Sequence, residues 1–450
     1  MVKNNSQSKL YNAVIVILGA MLMGMLWRVR GTHGWGSSWG LLNAGIIFVL
    51  FLTVALGERK KMNISWTALT ALSFMLTTPA WGTLLNQITG VLNCNDRLVS
   101  ISPWSGVFMM LCLGFGLASL FGIMLGRSYS DKQWKFHHIL ILLGVFYAVN
   151  YITKATVSHL VIQLVQPEAI SAFADDLKAV GLGDDVYKTY MQHFDNDAWA
   201  KKFTMDVLGR QSSAGRNYFQ EIMTISSAFS AVAALITTRF VIKDKVAALT
   251  GTVTCGAFAV AITLADLFFW YEGKGYAVPD TYAAWSLWEF FTGFIAGGII
   301  TAFVVLLKKK ENIPEITFDK LPEKVKTVFT FLLGYIGMMG VTIVRPVLER
   351  FDKTDLQLVF TAISVVVALS IVAVTAKKCG CALQKTTYEK FCTVALPCFV
   401  IFTYIAYMFI GNAEYQNFRS IGMIHNICVT VSVVCVMIWS FMQIKKMNSK

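Results

Sequence analysis

Charge is scarce in this sequence. Asp, Glu, Lys and Arg make up only 14% of its 450 residues, while 56% are hydrophobic. Soluble domains carry roughly 25% charged residues, so a soluble fold of this length would lack the polar groups to cover its surface. Alternation is also missing. The apolar residues form unbroken blocks, not the period-two pattern of a β-barrel with one face to the lumen and one to lipid. Blocks of about 20 apolar residues match the hydrocarbon core of a bilayer. There the backbone must satisfy its own hydrogen bonds, so the spans are expected to be helical.

Other absences narrow the chemistry. The nine cysteines supply no disulfide framework. Six lie in or beside apolar blocks, Cys94 stands alone on one side, and Cys379 and Cys381 share a Lys-rich loop with no further ligand nearby. No metal and no cofactor are expected. There is no Walker A loop, no Gly-x-Ser-x-Gly, no His-Glu-x-x-His and no dinucleotide-binding glycine motif. No cleavable signal peptide is read, because Trp27 and Arg28 follow the first apolar block where small residues would be needed.

What is present is an all-α, polytopic membrane helical bundle of about twelve transmembrane helices. The expected spans are 11–28, 40–56, 64–85, 106–126, 137–153, 222–241, 246–270, 286–307, 328–347, 356–376, 391–411 and 422–443. The net charge of +13 is read as topology. On alternate connections, 24 of the 39 Lys and Arg gather on one side, and seven of the rest lie in a single long loop. By the positive-inside rule the basic side is the cytoplasm, which places both termini there and the protein in the cell membrane. No basic surface interleaved with aromatics appears, so nucleic acid is not an expected partner. Membrane lipids are.

The chain is expected to divide into two six-helix halves, 1–245 and 246–450. They share a weak likeness: Trp35-Gly-Ser-Ser-Trp39 before one span, Trp285-Ser-Leu-Trp288 before another, each span ending in a basic cluster. An even number of spans per half makes this a parallel repeat. The loop at about 154–221 is expected to form a helical extracytoplasmic cap. Helical periodicity runs over 169–180 and 185–208, Gly181 and Gly183 break it, and Asp184 or Asp185 caps the second helix.

Candidate site residues cluster at the expected outer level. Trp27-Arg-Val-Arg-Gly-Thr-His-Gly-Trp-Gly-Ser-Ser-Trp-Gly40 packs two arginines, a histidine, three tryptophans and four glycines into 14 residues. Arg28 and Arg30 can fork onto a carboxylate or phosphate. Trp35 and Trp39 can stack on a sugar or cation, and the glycines permit close approach. Asp266, Trp270, Trp285, Trp288, Glu289, Arg345 and Arg419 are expected at the same depth. Ionisable groups inside spans are costly and face a cavity or a partner, so Asp266 or Glu289 should pair with Arg28, Arg30 or Arg345. The bland alternatives are an interfacial tryptophan belt and structural ion pairs.

Two functions fit these features. One is a transporter or flippase of a small polar, anionic or lipid-linked solute, which Arg28, Arg30, His33, Trp35, Trp39, Trp270, Trp285, Trp288, Arg345 and Arg419 would bind. The other is a membrane-embedded transferase acting on a lipid-linked, phosphate-containing substrate at the outer face. In that case Asp266, Glu289 or His33 would be the general base, and arginines would stabilise the leaving phosphate.

Overall fold

A computed structural model describes residues 2–32, 38–59, 64–77, 85–94, 97–192, 214–271 and 282–316, with a few single positions beyond 316. The elements in chain order are α1 (Val2–Thr32), α2 (Ser38–Leu56), α3 (Ile64–Met75), a 3-10 turn (Gln87–Thr89), β1 (Val91–Asn93) and β2 (Leu98–Ser100). There follow α4 (Pro103–Leu117), α5 (Ser119–Tyr129), α6 (Phe136–Ala155), α7 (Val157–Val165), α8 (Pro167–Ala179) and α9 (Val186–Met191). The last are α10 (Ala214–Ile236, continued by a π-type turn Thr237–Val241), α11 (Lys245–Ala265), α12 (Leu267–Tyr271) and α13 (Tyr282–Lys310).

The described chain is mostly helical. Five helical segments are long and apolar enough to cross a membrane: Ser8–Arg28, Phe136–Ala155, Ala214–Val241, Lys245–Phe269 and Ala284–Lys310. The bent pair α4–α5 adds a sixth if it is counted as one span, and α2 contains a shorter apolar stretch, Ala44–Leu56. These helices are consistent with a multi-pass membrane protein. The expected spans 328–347, 356–376, 391–411 and 422–443 lie outside the described residues, a few single positions aside.

Two spans differ from expectation. The third was expected over 64–85, but its described helix ends at Met75, and the chain re-enters view as the 3-10 turn and a short hairpin. In that hairpin β1 pairs antiparallel with β2, Val91 opposite Ser100. The fourth was expected as one helix over 106–126, but it is broken at Ala118 and bent by 45°. Glycine favours the helix least among non-proline residues, and here it serves contact. A Cβ on Gly114 would stand 2.4 Å from the Phe258 carbonyl oxygen, and one on Gly116 2.7 Å from Ser227 Cβ. The neighbouring helices therefore approach to backbone distance, as small residues allow in membrane bundles.

The chain forms two compact units. The first comprises 1–76, 124–131 and the chain from 289 onward; the second comprises 77–123 and 132–288. In the first unit, α1 lies tightly against α13. A Cβ on Gly293 would stand 2.3 Å from the Met23 carbonyl oxygen, and one on Gly297 2.4 Å from Met23 Cβ. Trp27 is fully buried and stacks with Phe74 of α3 at 6.2 Å between ring centroids. Tyr11 donates its hydroxyl to the Ala55 carbonyl at 2.6 Å, tying α1 to the end of α2.

In the second unit α10 is the central element, packed by α4, α6, α7 and α8. Its N-terminal turns share an apolar core with the hairpin, α8 and α9, including Leu92, Phe173, Leu177, Tyr190 and Tyr218. Gly181 and Gly183, both at positive φ, separate α8 from α9. Asp185 caps α9 by accepting from the Lys188 amide at 2.9 Å. Arg97 ties the hairpin to α8, donating to Asp176 at 2.8 Å and to the Ala172 carbonyl at 2.9 Å. Residues 193–213, the rest of the expected cap, lie outside the described residues.

Candidate functional site

The first unit brings together one of the anticipated pairs. Arg28 sits near the C-terminal end of α1 and Glu289 in the second turn of α13. The glycine contacts that press these helices together also bring the guanidinium to the carboxylate, Nη1 to Oε2 at 2.8 Å, and both side chains are buried. A charge-assisted bond of this length stabilises each buried charge, and neither would be tolerated alone.

The same face of the sequence supplies further polar groups on α13. Trp285 and Trp288 precede Glu289, with their rings edge-to-face at 6.4 Å. The indole N–H of each, and the hydroxyls of Ser286 and Thr292, are buried and meet no acceptor among the described residues. Buried donors are nearly always satisfied, so among the described residues this stretch of α13 shows hydrogen-bonding groups still to be matched.

At the other end of α13 is a second charge group, which sequence reasoning missed. Arg59, just past α2, bonds both Asp131, just past α5, and Glu311, just past α13. The run Arg59-Lys60-Lys61 had been read only as a topology marker; an arginine within reach of two acidic loop residues is not distinguishable from that in sequence.

The second unit holds the other anticipated carboxylate. Asp266 is fully buried at the break between α11 and α12, where it accepts from the Asn86 amide at 2.9 Å. The Ile88 amide is a second backbone donor. Its Oδ2 meets no partner among the described residues. The 3-10 turn is thus fastened to Asp266 through its backbone. The turn is also seated directly on α4, because a Cβ on Gly106 would stand only 2.1 Å from the Gln87 carbonyl oxygen.

From that turn the Gln87 side chain reaches Glu221, which is fully buried on α10, and donates to it at 3.3 Å. Gln166, between α7 and α8, is fully buried against the same carboxylate, and Ser105 Oγ stands 3.4 Å from its amide nitrogen. Glu221 was not anticipated, because the hydropathy boundary of the sixth span falls at 222. The available clue was periodicity: Asn217, Glu221, Thr224, Ser227 and Ser230 recur every three or four positions and are all buried.

The remaining anticipated residues are placed less fully. Arg30 falls within α1, Trp39 within α2 and Trp270 within α12. His33, Trp35, Arg345 and Arg419 lie outside the described residues. Among the described residues no three His, Cys, Asp or Glu side chains stand close enough to hold a metal ion.

Outside the candidate spans, His159 of α7 faces the Tyr218 hydroxyl at 2.5 Å and packs on the Tyr187 ring at 4.6 Å. Burial lowers its affinity for a proton below that of an ordinary imidazole, and Asp185 opposes the effect only in part.

No family model matches this chain, and no curated protein or solved structure does either.

Proposed function

We propose that the protein is a multi-pass transporter of the cell membrane, with both termini cytoplasmic, that moves a small polar or anionic solute, free or lipid-linked. The observation that carries this reading is the pair of ion-pair layers at opposite ends of α13 in the first unit: Arg28–Glu289 at one end, Arg59–Asp131–Glu311 at the other. The 22 positions from Glu289 to Glu311 correspond to about 33 Å of helix, close to the roughly 30 Å hydrocarbon thickness. Buried ionisable groups in spans mark solute and ion pathways. The buried Arg28–Glu289 pair and the more exposed Arg59–Asp131–Glu311 group just past the helix ends are suited to serve as the outer and inner closures of a path, each opening when a charged solute competes for its arginine. Indole and hydroxyl donors of α13 that meet no acceptor among the described residues suit the recognition of an oxygen-rich ligand.

Twelve spans in two parallel six-helix repeats, 1–245 and 246–450, belong to this proposal. So do Arg30, His33, Trp35, Trp39, Trp270, Arg345 and Arg419 as further groups around the outer end of the path.

The test is reconstitution of the full chain into sealed liposomes with a panel of labelled small carboxylates, sugar phosphates and a short-chain lipid-linked phosphosugar. Uptake or flipping of at least one member above protein-free liposomes is expected, with loss in Arg28→Met. If no member moves, and a lipid-linked phosphate substrate is instead turned over in detergent without a sealed bilayer, the transferase reading replaces this one. Asp266, Glu289 and His33 would then be the residues to test as general base.

A further inference from the structure

The buried polar group around Glu221 in the second unit does not depend on the ion-pair layers and has no role assigned so far. Glu221 is fully buried on α10, at a helix position where the surroundings are helices and not water. All of its described partners are neutral: the Gln87 side chain, which donates at 3.3 Å, and the Gln166 side chain, whose nearest atom is 2.6 Å from Glu221 Oε1 and 3.3 Å from Oε2. Among the described residues no Lys, Arg or His is bonded to it. A buried carboxylate without a cation is costly as an anion, and the cost is avoided when it carries a proton.

The amides around it form a chain with a definite sense. With the Gln166 carbonyl turned toward Glu221, the Gln166 amide nitrogen donates to Gln87 Oε1 at 3.3 Å and faces Ser105 Oγ at 3.4 Å. Gln87 Nε2 then donates to Glu221. In this arrangement each amide nitrogen has an acceptor, and one requirement is left: at 2.6 Å, Gln166 Oε1 needs a hydrogen from Glu221. A carboxylic acid supplies it, at a distance normal for O–H···O. If Glu221 is ionised, Gln166 must turn so that its nitrogen donates to the carboxylate. Its oxygen then confronts Gln87 Oε1 at 3.3 Å, two acceptors with no hydrogen between them. Turning Gln87 as well moves the same conflict to Glu221. The chain closes on itself when the carboxyl is neutral; when it is ionised, the turned Gln166 oxygen leaves Gln87 Oε1 without its donor and has Ser105 Oγ, 3.4 Å away, as the hydroxyl it can accept from.

We infer that Glu221 is a proton-binding site, read out by the orientation of the Gln166 and Gln87 amides. Proton uptake from water forms the O–H bond on Glu221 Oε1, neutralises one negative charge and completes the chain Glu221–Gln166–Gln87–Glu221. Release returns the proton to water and requires Gln166 to turn. The turn is coupled to the rest of the unit, because Gln87 belongs to the 3-10 turn that is bound to Asp266 through Asn86 and pressed on α4 at Gly106.

Several titratable and charged groups lie on the surrounding elements. Tyr218, one turn earlier on α10, is held by His159 of α7. Asp176 of α8 is paired with Arg97. Asp266 is held by the Asn86 backbone amide. Cys112 is the titratable group of α4, while α6 carries Tyr147, Tyr151 and Lys154. None of these is bonded to Glu221. The inference is independent of transport, since proton binding is measured on the protein alone.

The experiment is infrared difference spectroscopy of the full chain in lipid bilayers, in D2O, between acid and alkaline buffer and without sodium. A carbonyl band of a protonated carboxylic acid should vanish on the alkaline side in the wild type and be missing at both pH values in Glu221→Gln. In Gln166→Met, which keeps the acid but removes the oxygen 2.6 Å away, the band should persist at shifted frequency. If Glu221→Gln does not fold, the Gln166→Met shift alone decides. A band identical in the wild type and both variants overturns the assignment. So does a band that ignores pH, or one displaced at fixed pH by sodium or lithium, which would indicate a metal-cation site instead.

Discussion

Arg28 and Glu289 stand 261 positions apart in the chain and 2.8 Å apart in the fold, guanidinium to carboxylate, both out of reach of solvent. Removing either partner takes this charge-assisted bond away from a charge that stays buried. Arg28→Met and Glu289→Gln should each cost about 3–5 kcal/mol of stability. The double variant, which buries no charge, should cost less than the sum of the two. Thermal unfolding of the four proteins in detergent measures this cycle. Strictly additive losses would mean that the contact carries no energy.

The seat of the 3-10 turn gives a second prediction. At Gly106 the obstacle to a methyl group is the Gln87 backbone, which cannot rotate away as a side chain could. Gly106→Ala should cost about 1–3 kcal/mol. It should also perturb both carboxylates held by the turn, Glu221 through the Gln87 side chain and Asp266 through the Asn86 amide. A melting temperature equal to that of the wild type would show that α4 and the turn are not in this contact.

Asp244 closes the turn between α10 and α11 with both oxygens. One accepts from the Ala247 amide at 2.9 Å as an N-cap, the other from the Trp134 indole at 2.8 Å. Asp244→Ala should lose about 2 kcal/mol, a cap and a buried bond together. Asp244→Asn should retain part of this, since its single carbonyl oxygen can still cap. The comparison is a thermal-shift measurement of the two variants, and equal losses would assign all the energy to one bond.

His159 makes the second unit acid-sensitive. Its proton affinity is lowered in the folded state, mainly by burial, so the unfolded chain binds the proton more tightly. The stability it contributes is complete above the ordinary imidazole range and is lost as the pH falls through that range toward the folded value. Melting temperature should therefore decline on acidification, and His159→Asn should flatten that part of the profile. Unchanged steepness in the variant would place the acid sensitivity elsewhere.

The architecture and the chemistry were unequally legible in sequence. The expected spans 137–153, 246–270 and 286–307 correspond to Phe136–Ala155, Lys245–Phe269 and Ala284–Lys310. Each lies in a block where length and hydropathy leave a helix as the one structure that satisfies its backbone in lipid. The break between α8 and α9 was legible for an equally local reason, since Gly181 and Gly183 adopt positive φ and Asp185 caps the next helix. The helix break at Ala118 was not, because no proline marks it; the close contacts beside it, at Gly114 and Gly116, are with α11 and α10, which are distant in sequence.

The amino-acid sequence by itself determined that this chain is helical, that several of its helices can cross a bilayer, and that an arginine and a carboxylate buried in such helices need partners. These follow from composition, periodicity and the cost of unpaired charge. Only the tertiary structure decided that Glu289 meets Arg28, that Arg59 holds two acidic loop residues, and that Glu221 faces two glutamines and, among the described residues, no cation. Pairing of that kind depends on which helix faces touch. In this protein those faces are set by glycines such as Gly106 and Gly293, where one backbone rests directly on another.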